Sequence, residues 1–294
     1  MILNQAVNQF LIHQRASGRS PHTIGAHQRD LGWLLGSLGG DCELDNITAP
    51  DLDAFLLSDP VARQADGNPK SKSSVNRTRS SVKSFFGWLQ TTGFLHCDPA
   101  AGIHISRGGS PPPTYLTDDE VRNLLKTIRS HKGWQAERDL VIVQLFLHTG
   151  IRLSELVGLD IADVNLIEKR ITIRAKGGQT VTRFLNTKAR GALHQYLKDR
   201  RKMAFDCPAL FVSQRLERIT GRQVQRRLSG WIEKAGITKD VHPHSLRHSF
   251  ACSLYSRTTN LLAVQQALGH RSIQTTLVYA RLLDDALETA LETL

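Results

Sequence analysis

Three motifs follow one another within 36 residues near the end of the chain: His244-Ser245-Leu246-Arg247-His248, Leu268-Gly269-His270 and Tyr279. They place imidazoles, a guanidinium and a phenol in one short stretch. Far upstream, Thr149-Gly150-Ile151-Arg152-Leu153-Ser154-Glu155-Leu156 adds a second guanidinium at a break between apolar runs. Fixed cations, proton carriers and a tyrosine nucleophile are the groups needed to break a phosphodiester without a metal. The set therefore predicts phosphodiester chemistry and a fold that brings distant segments together.

Tyr279 is the candidate nucleophile. A phenol with its ordinary pKa of about 10 reacts poorly at neutral pH unless cations or a base stabilise the phenolate. We expect Arg152 and Arg247 to bind the two non-bridging phosphate oxygens, because a guanidinium matches paired oxygens and keeps its charge. Taken alone, Arg152 would be an ordinary helix-end cation and Arg247 a surface residue. Glu155 is expected to hold the guanidinium of Arg152 from behind, or to pair with another cation.

The histidines have different predicted roles. His244 is the candidate general base for the phenolic proton, and His270 is expected to hydrogen-bond a phosphate oxygen, since imidazole does both near neutral pH. His248 is interpreted as a structural histidine. A metal site built from His242, His244 and His248 is the rival interpretation. We expect no metal, because no carboxylate pair or cysteine set accompanies these histidines and Arg247 would repel a cation.

A period of two indicates a β-hairpin in the middle of the chain. Arg170-Ile171-Thr172-Ile173-Arg174 and Thr180-Val181-Thr182-Arg183-Phe184 alternate, and Gly177-Gly178 provides the turn. Lys176, at the tip, is the candidate general acid for the departing sugar oxygen. A lysine before two glycines is also an ordinary turn residue, which is the alternative.

The composition favours two domains and a polyanionic partner. The chain has 294 residues, of which 40% are apolar, and a net charge of +11. Residues 1–106 contain nine basic and nine acidic side chains, whereas residues 107–294 contain 29 and 18 and so carry the whole excess. A basic surface gains affinity for nucleic acid by releasing condensed counterions.

The cysteines are scattered, which predicts reduced and mostly buried thiols. They are Cys42, Cys97, Cys207 and Cys252. No basic segment followed by a long apolar one opens the sequence, and no stretch approaches the ~18 to 20 apolar residues that span a bilayer. We expect a soluble, cytoplasmic protein that does not contact a membrane.

Glycines and three prolines mark a seam at Ser106-Arg107-Gly108-Gly109-Ser110-Pro111-Pro112-Pro113. This composition predicts a linker over 107–113 between a helical domain, 1–106, and a second domain, 114–294. Helical spacing of apolar residues and capping patterns predict the other elements. The helices are expected over 2–16, 21–38, 49–64, 71–92, 136–149, 188–203, 221–235, 244–256, 260–268 and 272–280, with a further one opening at Thr117.

Basic side chains in both parts are candidates for contact with DNA. Most are expected to bind phosphates, with one or two reading bases. A solvated helix face is the alternative interpretation of such runs. The candidates are Lys70, Lys72, Arg77 and Arg79 in the first part and Arg215, Arg218, Arg222, Arg226 and Arg227, around a helix that begins near Thr220, in the second.

The ordered motifs resemble the tyrosine recombinase/integrase family, especially its Xer-like members, over nearly the whole chain. Thr149-Gly150-Ile151-Arg152 with Ser154-Glu155-Leu156 resembles the family's first arginine box. The second box is resembled by His244-x-x-Arg247-His248, Leu268-Gly269-His270 and Thr275-Thr276-x-x-Tyr279. Ser20-Pro21-His22-Thr23 with Arg29-Asp30-Leu31 resembles the start of the second helix of the family's N-terminal domain.

The resemblance implies a mainly α fold with a small β-sheet. It implies an N-terminal helical, SAM-like core-binding domain and a C-terminal α+β catalytic domain that close as a clamp around double-stranded DNA. It also implies that six positions form the active site. These are Arg152, Lys176, His244, Arg247, His270 and Tyr279, with Glu155 and His248 in supporting positions.

The implied activity is site-specific recombination without a cofactor. Tyrosine attacks DNA and forms a 3′-phosphotyrosyl bond, and the released 5′-hydroxyl then attacks the partner strand within a synaptic tetramer on two duplexes. A type IB topoisomerase, which would share the nucleophile and cations, and a non-catalytic DNA-binding regulator on the same fold are the alternatives. The target sequence, the biological task and the participation of a second recombinase or accessory protein are left open.

Two positions depart from the family pattern. Thr258 stands where the family usually has glycine, so we expect Asn260 to supply the left-handed turn instead. Ala175-Lys176-Gly177 replaces the more usual Gly-Lys-Gly.

The C-terminal segment 282–294 has an apolar stripe that must pack against another surface. It is expected to pack either on its own domain or on a neighbouring subunit, and the sequence leaves both open.

Overall fold

The computed structural model describes residues 1–106, 112–174, 180–202, 206–269 and 272–280. The chain divides into two units, Met1–Gly109 and Ser110–Leu294, and each unit has its own hydrophobic core. Only the last two residues of the predicted linker over 107–113, both prolines, fall within the described residues.

The first unit is helical throughout its described elements. The helix α2 (Pro21–Leu38) begins as its sequence predicts: the hydroxyl of Ser20 accepts a hydrogen bond from the backbone N–H of Thr23 at 3.2 Å, and Pro21 occupies the first turn. Apolar faces of the first, second and fifth helices form the core, which includes Phe10, Leu31 and Phe85. The helices are α1 (Leu3–Ala16), α2 (Pro21–Leu38), α3 (Ala49–Leu57), α4 (Asp59–Ala62) and α5 (Lys72–Thr91).

The single helix expected over 49–64 is wrong. The chain forms α3 and α4 instead, separated at Ser58, whose backbone is extended with φ −63° and ψ 153°. Pro60 lies in the first turn of α4. Proline has no N–H to donate and its ring crowds the preceding turn, so a helix is more easily restarted before it than continued through it.

The second unit surrounds the helix α7 (Trp134–Thr149). The side chains of α7 are buried on nearly every face, and it packs against α6 (Asp118–Arg129), α9 (Thr187–Lys202) and α11 (Pro243–Thr258). The helix α6 opens with the predicted capping box, in which Thr117 and Glu120 exchange backbone-to-side-chain hydrogen bonds of 2.7 and 3.3 Å. The helices of this unit are α6 (Asp118–Arg129), α7 (Trp134–Thr149), α8 (Leu153–Val157), α9 (Thr187–Lys202), α10 (Gly221–Lys234), α11 (Pro243–Thr258) and α12 (Leu261–Leu268).

The predicted hairpin strands occur at the predicted residues. The strands β2 (Arg170–Arg174) and β3 (Thr180–Phe184) pair antiparallel, and β1 (Val164–Asn165) adds an outer strand in the order β1-β2-β3. The register places Ile171 opposite Arg183, on the face that meets the core. The hairpin tip, including Lys176, lies outside the described residues.

The left-handed residue between α11 and α12 is Thr259, with φ 49°, so the expectation for Asn260 is wrong. Asn260 has φ −115° and instead caps α12, its side-chain oxygen accepting from the backbone N–H of Ala263 at 3.0 Å. An asparagine side chain caps a helix well from an extended backbone, and this cap replaces the turn role. Beyond α12, the helix expected over 272–280 begins as a 3-10 turn, Ile273–Thr275.

All four cysteines are free thiols, but only Cys252 is buried and Cys97 is exposed, so the expectation of mostly buried thiols is wrong. In the described parts of the chain, no helix is both long enough and apolar enough to cross a membrane.

Candidate active site

Gly150 ends α7 and sets the direction of the chain toward Arg152. Its φ of +58° lies in the left-handed region that favours glycine. A Cβ at this position would lie 2.5 Å from Cδ1 of Phe250 and 2.9 Å from Cδ2 of Leu268, so only glycine fits there. The chain leaves α7 extended, and Arg152 precedes the short helix α8.

Glu155 orients Arg152. Its carboxylate accepts from the backbone N–H of Arg152 at 2.9 Å and from Nη1 of the same residue at 2.7 Å. Burial opposes ionisation of this carboxyl, but the hydrogen bonds from Arg152 outweigh it and lower the pKa of Glu155, with the charge of Arg183 acting in the same direction. The carboxylate therefore stays ionised and fixes the guanidinium in one position.

Arg247 joins the ends of two helices. It is 4% exposed, and it donates to the carbonyl of Gly150, after α7, and to the carbonyl of Leu268 at 2.7 Å, at the end of α12. Arg152 donates to the next carbonyl, that of Gly269, at 3.4 Å. Burial, followed by the charges of Arg152 and Arg183, lowers the pKa of Arg247 to about 10, which still leaves it a cation at neutral pH. The two predicted arginines thus meet at one turn, although 95 positions separate them in the sequence.

Arg183 is a third arginine at this turn, and we had predicted no role for it from the sequence. Its Nη2 donates to the carbonyl of Leu268 at 3.2 Å, and the residue is 7% exposed. The signal that was available is its register in the hairpin, because it pairs with Ile171, which is fully buried. An arginine on the core side of a strand requires partners inside the protein.

Tyr279 is buried, with 1% exposure, in a small cluster with Cys252, Val264 and Leu268. Its hydroxyl lies 2.8 Å from Nδ1 of His248. Burial raises the pKa of Tyr279 to about 12, and the charge of Arg247 opposes this increase. The phenol is therefore neutral at physiological pH in this arrangement.

His244 is exposed to solvent near the arginines. Partial desolvation by its surroundings lowers its pKa, and the charges of His242, Arg247 and Arg152 add to the decrease. A neutral imidazole with a free lone pair is the form that a general base requires. His242 has a different use: its Nδ1 accepts from the backbone N–H of Ser245 at 3.1 Å and so caps α11. His248 contacts Tyr279, so two of the three histidines of the alternative metal site, His242 and His248, are engaged with different partners.

The predicted Lys176 and His270 both lie outside the described residues. His270 directly follows Gly269 in the sequence, whose carbonyl accepts from Arg152. Of the six predicted active-site residues, the described structure places Arg152, Arg247, His244 and Tyr279 in one neighbourhood.

A groove of about 1140 Å³ runs along α10. The wall includes Arg215, Arg222 and Arg226, which are exposed and, within the described residues, form no ion pair. Arg227 also lines the groove, but its Nε donates at 2.6 Å to the buried carboxylate of Asp139. Three cationic side chains thus line a concave surface, and their guanidinium groups are available to bind a ligand there.

The other basic candidates are held within the protein. Arg218 donates to the carbonyls of Val157 and Leu159 at 3.0 and 3.1 Å and pairs with Asp160. The carboxylate of Asp160 also pairs with Arg174. These contacts assign Arg218 an internal structural role at the least.

The candidate DNA-binding residues of the first unit also divide into those with partners inside the protein and one that is exposed. Arg77 pairs with the buried Asp30 at 3.1 Å, and Arg79 donates to the carbonyl of His104 at 3.1 Å. Lys70 donates to the carbonyl of Pro60. The remaining candidate in this set, Lys72, is exposed at the first turn of α5.

Two family models match the chain in order. Residues 7–93 match the phage integrase N-terminal SAM-like domain, and residues 114–285 match the phage integrase family. The chain is 34% identical over 281 residues to the tyrosine recombinase XerC of Chromobacterium violaceum. This alignment covers 95% of this chain and 91% of that protein. These matches confirm the predicted family and the two-domain fold class.

Solved structures agree in fold. The crystal structure of XerA recombinase aligns over 98% of both chains with 29% identity and a TM-score of 0.56. The XerH site-specific recombinase bound to a palindromic difH substrate, in a post-cleavage complex, aligns over 95% of this chain and 81% of that one, with 23% identity and a TM-score of 0.77. The family models and the XerC relative together show that the chain belongs to the phage integrase family of tyrosine recombinases.

Proposed function

We propose that this protein is a site-specific DNA recombinase that cleaves and rejoins strands through a covalent 3′-phosphotyrosyl intermediate on Tyr279. The observation that carries the proposal is the meeting of Arg152 and Arg247 at the carbonyls of Leu268 and Gly269, with the charge of Arg247 acting on Tyr279. Two guanidinium groups fixed at one turn form a ready site for a phosphate whose charge increases in the transition state.

In the proposed cleavage step, the phenolic oxygen of Tyr279 attacks the phosphorus and the bond from phosphorus to the 5′-oxygen breaks. His244, whose lowered pKa leaves it neutral, takes the phenolic proton. Lys176 gives a proton to the departing oxygen, and His270 hydrogen-bonds a non-bridging oxygen. Rejoining is the reverse reaction with the 5′-hydroxyl of the partner strand, so the ester conserves the energy of the broken bond.

His248 supports this step by holding the hydroxyl of Tyr279 before attack. The 2.8 Å contact keeps the phenol inside an apolar cluster, where it is protonated and shielded. Approach of a phosphate to the arginines would supply the partner toward which the hydroxyl moves.

Binding of DNA is proposed to use the exposed arginines of the α10 groove, Arg215, Arg222 and Arg226, together with Lys72 of the first unit. Cations on an open concave surface bind phosphates at little cost in broken internal contacts. Arg218, Arg227, Arg77, Arg79 and Lys70 are proposed to contribute mainly by holding these surfaces, since each already has an internal partner.

Assembly into a tetramer on two duplexes, within the cytoplasm, is part of the proposal. The apolar stripe of segment 282–294, which lies outside the described residues, supports packing against a neighbouring copy. The four free thiols agree with a reducing compartment. A second recombinase or an accessory protein would join through the same assembly.

Strand exchange between two duplexes of different length tests the function. Both duplexes carry one site, obtained by selecting from a random-sequence DNA pool with this protein, and the reaction contains EDTA. The proposal predicts products that join one duplex to the other. Relaxation of supercoiled DNA without joined products would instead favour a topoisomerase, and binding without cleavage would favour a regulator.

A further inference from the structure

Arg183 occupies a core-facing position of the sheet, where an apolar side chain is expected. It lies on β3 directly opposite Ile171, which is 0% exposed, and is itself 7% exposed. Its neighbour Phe184, in contrast, is 71% exposed. Placing a guanidinium inside and a phenyl ring outside costs stability relative to the reverse arrangement. The charge of Arg183 therefore requires a reason other than packing.

The contacts of Arg183 lead to the phosphate site. Its Nη2 shares the carbonyl of Leu268 with Nη2 of Arg247, at 3.2 and 2.7 Å respectively. The same nitrogen lies 3.5 Å from the position that a Cβ on Gly269 would take, so it covers the turn whose next carbonyl binds Arg152. Arg183 thus braces the backbone against which both phosphate-binding arginines are set.

The charges around this turn are unbalanced. Burial lowers the pKa of Arg183, the carboxylate of Glu155 raises it and Arg152 lowers it further. Arg183 and Arg152 in turn lower the pKa of Arg247, again with Glu155 opposing. Three guanidinium groups share the field of one carboxylate, and a bound anion would relieve their repulsion. Within the described residues, Nε of Arg183 is buried without a hydrogen-bond partner.

We propose that Arg183 is a third arginine of the phosphate site, a positioning residue that fixes the Leu268–Gly269 turn and adds positive charge to the field on the scissile phosphate. This inference rests on the proposed function. The residue acts through the shared carbonyl and through its charge, so its contribution increases as negative charge develops on the phosphate.

The test measures the single-turnover rate of covalent adduct formation on a nicked duplex carrying the selected site. Two scissile groups are compared: the natural phosphate and a methylphosphonate, which lacks one charge. Arg183→Met removes the guanidinium but keeps the length of the chain. Arg200→Met is the matched control, because Arg200 is 2% exposed and also donates to backbone carbonyls, those of Cys207 and Ala209.

We expect Arg183→Met to slow cleavage of the phosphate by roughly tenfold or more while the Kd for DNA stays within about threefold of wild type. On the methylphosphonate its deficit should shrink to roughly threefold, because less charge needs to be stabilised. Arg200→Met should lower the melting temperature and show the same rate ratio on both substrates. Arg183→Lys, which keeps the charge, should fall between wild type and Arg183→Met.

An Arg183→Met protein that folds and cleaves the phosphate at the wild-type rate would overturn the inference, as would equal deficits on both substrates. If Arg183→Met does not fold, Arg183→Gln, which is also neutral but keeps an amide donor for the carbonyl of Leu268, decides by the same comparison: a smaller deficit on the methylphosphonate supports the inference, and an equal deficit or none refutes it. Absence of any adduct with the wild-type protein would instead contradict the proposed function itself.

Discussion

The hydroxyl of Tyr279 lies 2.8 Å from Nδ1 of His248, and the tyrosine side chain is 1% exposed. The two residues come from separate segments, α11 and the stretch after α12, and they meet beside the apolar side chains of Val264 and Leu268. Burial keeps the phenol protonated and away from water, and the contact with His248 holds its hydroxyl in place. In the proposed mechanism, DNA binding must therefore release this hydroxyl before attack.

The ionisation of Tyr279 should weaken the fold at high pH. Burial raises its pKa to about 12. The unfolded chain, with a tyrosine pKa of about 10, loses this proton first. The stability that the neutral phenol contributes is therefore fully present below pH 10 and is lost as pH rises toward 12. At pH 11.5 the wild type should lose about 2 kcal/mol more than Tyr279→Phe, relative to pH 9. Urea unfolding of both proteins measures this, and parallel losses would contradict the assigned burial.

Gly150→Ala should destabilise the fold far more than Gly236→Ala does. Both glycines have left-handed backbones, with φ of +58° and +66°, but an added Cβ meets Phe250 and Leu268 only at Gly150. Gly236→Ala should cost about 1 kcal/mol from backbone strain. Gly150→Ala should cost about 2 kcal/mol beyond that from steric overlap. Equal losses in urea unfolding would show that the close approach is absent.

Gly150→Ala should also slow cleavage at temperatures where it stays folded. The carbonyl of Gly150 accepts from Arg247, so a displaced turn moves that guanidinium. The rate of adduct formation measures this effect, with Gly236→Ala as the control that should react at the wild-type rate.

Arg222 and Arg226 should carry part of the salt dependence of DNA binding. Each is exposed on the α10 groove, and alanine at either position should reduce the slope of log K against log salt by about 1. Arg218→Ala provides the contrast, because Arg218 is engaged with Asp160 and should affect the melting temperature instead. Binding titrations from low to high salt measure the slopes, and unchanged slopes for both groove variants would remove α10 from the DNA surface.

His148 should make the protein sensitive to acid. Burial, with the charges of Lys188 and Arg257, lowers its pKa to about 4. Between pH 6.5 and 4 the unfolded chain binds a proton that the folded protein does not. The stability that the neutral imidazole of His148 contributes is therefore fully present above pH 6.5 and is lost as pH falls toward 4. Wild type should lose about 2 kcal/mol more than His148→Gln between pH 7 and 5.

Urea unfolding at the two pH values tests the role of His148. His194→Gln serves as the control, because His194 is an exposed histidine of α9 in the same unit. The same acid loss in His148→Gln as in wild type would show that another group is responsible.

Local patterns predicted the local elements of the fold. The Ser20-Pro21 cap located the start of α2, and alternation around Gly177-Gly178 located β2 and β3 at their observed residues. The break at Ser58 and the left-handed Thr259 were missed, since a continuous apolar pattern hides a proline restart and an asparagine serves equally in a turn or a cap.

Local sequence patterns could not predict the long-range contacts that build the site. Arg183 and Leu268 are 85 positions apart, and Arg152 and Gly269 are 117 apart. Spacing alone does not tell a guanidinium that faces DNA from one that faces a carbonyl across the core. The family resemblance supplied the positions of Arg152, Arg247 and Tyr279, whereas it gave no indication of Arg183.

Identification of the protein residue that attacks the DNA tests the central claim most directly. A nicked duplex that traps the cleaved strand is incubated with wild type, Tyr279→Phe and Tyr196→Phe. Tyr196 is the matched control, since it is 2% exposed and burial also raises its pKa to about 12. The account predicts a covalent adduct with wild type and Tyr196→Phe, mapped by peptide mass to Tyr279, and none with Tyr279→Phe. An adduct that persists in Tyr279→Phe, or that maps to another residue, would contradict it.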